Sequence, residues 1–143
     1  MFNHDAMLQA TLTAITAFLA EHRDETFYGF SIDACRLCLN SEERFRQTLA
    51  WYQQRFPGRY AGEQDIDDLR ANTGDWAYQG FFELEAEQGF DHDLYQVHYD
   101  EPHASTDYAT AMSRLVEALR ESTVFDNTRT APTFYINWVE HDY

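Results

Sequence analysis

Lysine is missing from this chain. All ten basic residues are arginines, set against 25 carboxylates, and the net charge is −15. That excess keeps a protein soluble and repels nucleic acid and anionic membrane surfaces. A macromolecular partner is therefore expected to be basic. Arginine too is absent between Ala71 and Ser113. No apolar run approaches the roughly 20 residues of a membrane span. The opening MFNHDAML has no basic segment and puts Asp5 ahead of the apolar positions, which argues against a signal peptide. The expected compartment is the cytoplasm, where thiols stay mostly reduced. Nucleotide and nucleophile motifs are lacking as well. There is no G-x-G-x-x-G and no P-loop, and Ser31, in G-F-S-I-D, has no second glycine to make a nucleophile elbow.

What is present points to one folded domain over residues 1–143. The composition is 44% hydrophobic and 16% aromatic, enough to build a core in which aromatic rings supply much of the buried area. Leu8, Leu12, Ile15 and Leu19, widened by Phe18, predict a helix over 5–22 capped by Asn3 or Asp5. TFYGFSID alternates, with Tyr28, Phe30 and Ile32 on one face, and CRLCLN alternates again. A two-residue turn at Asp33-Ala34 would pair Tyr28 with Leu39, Phe30 with Leu37 and Ile32 with Cys35.

Asn40 or Ser41 then caps a second helix, with Asn40 and Glu43 spaced as a capping box. Its stripe is Phe45, Leu49, Tyr52 and Phe56, and Pro57-Gly58 ends it. Residues 58–75 read as a long loop or short helix, and 75–90 as strand or helix. HDLYQVHY suits one or two helical turns. A helix over 105–121 buries Tyr108, Met112, Leu115, Val116 and Leu119, and PTFYINWVEH alternates as a closing strand. The order predicts an α+β fold, a small antiparallel sheet packed against three to four helices.

Cys35 and Cys38 form C-x-x-C, a pattern shared by metal knuckles, redox dithiols and unrelated thiols. In a strand, residues three apart point to opposite faces. Cys35 then lies with Leu37 and Leu39 toward the core, and Cys38 with Arg36 and Asn40 on the exposed face. Thiols so placed neither share a metal nor close an unstrained disulfide. A redox pair also belongs at a helix N-terminus, so two unrelated thiols are expected, with serine tolerated at Cys38.

His92, Asp93, His98, Asp100 and His103 are metal-ligand types. On a helix His92 and His98 do not share a face, so solvated loop residues are expected. A metal-dependent hydrolase built on this cluster is the alternative.

The stretch without cations is more informative. It holds Asp75, Glu83, Glu85, Glu87, Asp91, Asp93, Asp100, Glu101 and Asp107. In a strand Glu83, Glu85 and Glu87 would line one face, where like charges destabilise the free protein. Trp76 and Tyr95 are interleaved with them, as aromatic anchors are at tight interfaces.

The segments FYGFSIDACRLCLNSEERF (27–45) and FYINWVEHD (134–142), with the region around Trp76, resemble a family of small, acidic, uncharacterised bacterial proteins of the polymorphic-toxin immunity type. The Cys pair is not part of the resemblance. It implies an inhibitor that binds a basic toxin effector domain acting on nucleic acid or nucleotide, with no catalytic residue and no cofactor. The expected partner-binding residues are Asp75, Trp76, Glu83, Glu85, Glu87, Asp91, Asp93, Tyr95, Asp100 and Glu101. Besides the hydrolase, a scaffold or regulatory module without a blocking role is the other reading.

Overall fold

A computed structural model describes residues 1–140; the last two residues of the second resembling segment, His141 and Asp142, lie outside the described residues. Four strands form one sheet: β1 (Phe27–Asp33), β2 (Arg36–Ser41), β3 (Tyr78–Glu83) and β4 (Thr130–Val139). Their order is β3-β2-β1-β4. β1 and β2 form an antiparallel hairpin and β2 pairs antiparallel with β3, but β4 runs parallel to β1. The α+β class holds. The sheet is mixed rather than antiparallel, because the chain runs through residues 34–129 and a helical layer before it returns to β1.

The α-helices are α1 (His4–Ala20), α2 (Glu42–Arg55), α3 (Glu63–Ala71), α4 (His92–Asp100) and α5 (Asp107–Glu121). That is more than expected, because residues 58–75 contain α3 followed by a 3-10 turn at Thr73–Asp75. No helix among the described residues is long and apolar enough to cross a membrane.

Both faces of the sheet are covered. Phe27, Phe30, Ile32, Leu37 and Leu39 meet Ile15 and Leu19 of α1 and Met112, Leu115 and Leu119 of α5 in the main core. On the other face Tyr28 and Cys38 meet Phe45 of α2, Leu69 of α3 and Trp76. Each fully buried Leu or Phe contributes about 1.5–3 kcal/mol relative to leaving it in water.

Local chemistry explains most element ends. The Asn3 side chain accepts the Ala6 amide at 3.1 Å and caps α1. The buried positions of α1 are Met7, Thr11, Ile15 and Leu19. Leu8, Leu12 and Phe18 are half-buried against the same core. Ser41, not Asn40, caps α2, accepting the Arg44 amide at 3.1 Å. Glu43 therefore does not close a capping box; it accepts the Thr26 amide instead. Asn40 is buried, donating to the Tyr28 hydroxyl at 2.8 Å and accepting the Ala77 amide at 3.3 Å. Phe56 ends the α2 stripe out in solvent. In α5 all five expected positions are buried.

Four further expectations on the hairpin are corrected. The turn is Ala34-Cys35, with Ala34 at φ 57°. Ile32 pairs with Leu37 and Phe30 with Leu39, so the register is two residues away from the expected one. A shift of two keeps the apolar faces aligned, which is why pattern alone does not choose between them. An irregularity between Phe27 and Gly29 turns Tyr28 away from Phe30 and into the second cluster. Finally, Cys38 is 0% exposed. The two cysteines do lie on opposite sides, Cys35 against the main core and Cys38 in the second cluster. The face expected to be solvated is covered by α2 and α3.

Candidate functional site

The carboxylates of the arginine-free stretch do not form one strand face. β3 ends at Glu83, opposite Arg36 of β2. Leu84 plunges into the core, and Glu85 and Glu87 belong to a 3-10 turn at Ala86–Gln88. Glu83, Glu85 and Glu87 are all exposed, each on a different local geometry. Gln88 fixes the turn by accepting the Glu85 amide at 2.9 Å, and the Glu85 carboxylate sits 3.2 Å from His92.

Asp91 caps α4, accepting the Leu94 amide at 3.0 Å, and also pairs with the amino group of Met1. That amino group, with the backbone hydrogen bond, holds its carboxyl below the usual value. Asp93 is exposed in the first turn of α4, where a helix welcomes negative charge. Asp100 and Glu101 are exposed at the other end of α4, where the helix dipole disfavours carboxylates. Gln96 donates to Asp100 at 2.9 Å and relieves part of that cost. Val97 and Tyr99, on the same short helix, are 41% and 46% exposed. Sequence reasoning did not single these two out; their exposure depends on how α4 rolls against α5.

Trp76 is only 5% exposed. Its indole N–H donates to the Arg70 carbonyl at 2.8 Å and its ring meets Tyr28 edge-on. Asp75 accepts the Tyr52 hydroxyl at 2.5 Å and the Asn72 side-chain amide at 2.7 Å. Tyr95 is half-buried against Tyr108, ring centroids 4.9 Å apart. In the free protein these three residues tie elements together, while Glu83, Glu85, Glu87, Asp93, Asp100 and Glu101 face solvent.

The His/Asp cluster is split. His92 faces Glu85, whereas His98 is 8% exposed, packs on Tyr108, and places Nε2 2.9 Å from Glu140, the residue after β4. His103 is exposed in the turn after α4. Among the described residues, no three His, Cys, Asp or Glu side chains are gathered to hold a metal ion.

Two features lie outside the expected residues. Glu25, in the link from α1 to β1, accepts the Ser41 hydroxyl at 2.6 Å and the Tyr78 hydroxyl at 2.5 Å, and lies 3.0 Å from His22 Nδ1. Burial pushes its carboxyl up, and the hydrogen bonds outweigh it, so the net shift is downward. Ser41 Oγ is buried and holds two bonds, to Glu25 and to the α2 amide, so this cluster fastens α1 to the hairpin and β3. The second feature is a groove of about 680 Å³ between α1 and β3, lined by Ala10, Ala14, Ala17, Phe18, Phe81 and Phe82, with Glu21 and Glu87 also at its wall. An adjoining depression shares Ala6 and Glu87 with it and extends to Asp91 and Asp93. Its only sequence signal was the recurrence of alanine along α1. Compared with known proteins, the chain matches no family model, no curated protein and no solved structure.

Proposed function

We propose that this protein is an immunity-type inhibitor, which binds and neutralises a basic toxin effector domain acting on nucleic acid or nucleotide. The observation that carries the reading is the outer side of α4. Two exposed apolar side chains, Val97 and Tyr99, stand beside Asp93, Asp100 and Glu101. Asp100 and Glu101 occupy the helix end that disfavours them, a cost that a cationic partner would remove. The exposed Glu83, Glu85 and Glu87 extend the same negative field. A toxin cleft that holds phosphates is positive, and carboxylates would fill it in their place. Charge complementarity would raise association to roughly 10⁸ M⁻¹s⁻¹ at low salt.

The test changes Glu83, Glu85, Glu87, Asp91 and Asp93 together to their amides and follows association with a candidate basic effector domain, taken from the gene adjacent to this one, across a salt series. Wild type should lose on-rate steeply as salt rises, because screening shortens the reach of exposed charge. The five-amide variant should start slower and depend less on salt. Its stability should fall modestly, since Asp91→Asn gives up the pairing with the Met1 amino group and Asp93→Asn removes a charge that the first turn of α4 welcomes, so circular dichroism first confirms that the variant is folded. Association that ignores both salt and the amides would place the interface elsewhere.

A further inference from the structure

The geometry points to the groove between α1 and β3 as the seat for a cationic amphipathic helix supplied by the partner. This rests on the reading of a basic protein partner and names which part of that partner docks. The lining is mainly apolar, with Phe81 and Phe82 of β3 on one side and Phe18 with the α1 alanines on the other. Ala6, Ala10 and Ala14 recur every four residues, with Ala17 three further on. Side chains that small let a second helix approach closely, ridge into groove. From Ala6 to Glu21 α1 runs ~22 Å, the length of a helix of about fifteen residues.

Charge selects the occupant. No arginine lines the groove, while Glu21 and Glu87 do, and the adjoining depression ends at Asp91 and Asp93. A helix with an apolar stripe flanked by Lys or Arg would bury the stripe on the alanines and phenylalanines and place its cations against Glu21, Glu87 and Asp93, Asp91 being already paired with the Met1 amino group. An added strand fits less well. β3 is an edge strand, but Gly80 at φ 68° and the register shift between Leu37 and Leu39 kink it, as edges that avoid pairing are kinked. A second copy of the chain fits less well too, since it would bring two rims of like charge together.

The experiment titrates the full chain with three labelled fifteen-residue peptides, read by fluorescence anisotropy. One is a Leu/Lys helix with a single apolar stripe. The second is the same composition scrambled to destroy the stripe, and the third is a Leu/Glu helix. The amphipathic cationic peptide should bind at least tenfold more tightly than either other. Thr13→Arg and Ala17→Arg, both at exposed groove positions, should each weaken it at least tenfold, with circular dichroism unchanged. Equal binding of the scrambled peptide would overturn the seat while leaving a basic partner on α4 intact. So would binding unchanged by both variants. A dimer that either variant splits into monomers in sedimentation would overturn it in favour of a second copy. Failure of the wider reading shows separately, as a basic domain whose association ignores salt.

Discussion

The guanidinium of Arg70 lies over the ring of Tyr28, its central carbon 3.8 Å from the ring centroid. Glu42 grips the same guanidinium through both carboxylate oxygens, and the Arg70 carbonyl accepts the Tyr28 hydroxyl at 2.8 Å. One residue thus links α3, the start of α2 and β1. Arg70→Ala should cost about 2–3 kcal/mol, between an exposed pair and a fully buried one. Arg70→Lys should recover only part of it, because a point charge cannot replace the fork over the ring. Urea unfolding of the two variants measures both.

The same contact predicts a pH dependence. The Arg70 hydrogen bond holds the Glu42 carboxyl below its ordinary 4.5, against the opposing push of burial. A carboxylate depressed in the fold adds stability that is present above its ordinary value and is lost as pH falls through the folded value. Wild-type stability should therefore decline below pH 4.5, and Glu42→Gln should be less stable at neutral pH with a shallower acid limb. Parallel acid limbs in the two proteins would contradict the linkage.

Cys38 supplies a further prediction. Burial pushes its thiol up to about 11, and it has no exposed surface. Native protein treated with iodoacetamide at neutral pH should leave Cys38 unlabelled until denaturant is added. Cys38→Ser should destabilise by about 1–3 kcal/mol, the cost of a buried hydroxyl without a good partner. Full labelling of Cys38 in the native state would show that α2 and α3 do not cover that face.

Gly29 sits beneath two rings. A Cβ there would lie 2.8 Å from Tyr135 Cζ and 3.0 Å from the Trp76 ring, closer than side chains pack. Gly29→Ala should force both rings aside and cost about 1–3 kcal/mol. The near-UV circular dichroism of the aromatic residues should change along with the melting temperature.

The parts of the fold that were legible in the sequence are those with a strong local period. In α5 the five stripe residues all face the core, because a helix with one apolar side has one way to sit. The hairpin was legible as a hairpin, but its register was not, since Ala34 carries no sign of the left-handed conformation it adopts. The second covered face was missed because Arg36 and Asn40 look solvated as letters. Asn40 is buried only because Tyr28 and Ala77 satisfy its amide, a match that exists in three dimensions alone. Of the candidate site, the carboxylates were legible as a charge pattern. The groove was not, since it needs α1 and β3, about sixty residues apart, to be set side by side.

The parallel pairing of β1 with β4 has a consequence for synthesis on the ribosome. β1 lies in the interior of the finished sheet, yet the strand that flanks it reaches Val139. At roughly 5–20 residues per second, the hundred residues between them take about 5–20 s to translate. For most of that interval the backbone of Phe27–Asp33 has no partner on one side, and until α5 has been made its side chains lack that helix's cover. A nascent chain in that state can recruit a neighbouring strand from another polysome product. Slow codons placed before β4 would prolong the hazard, and chaperones that shield extended apolar segments would act in that window.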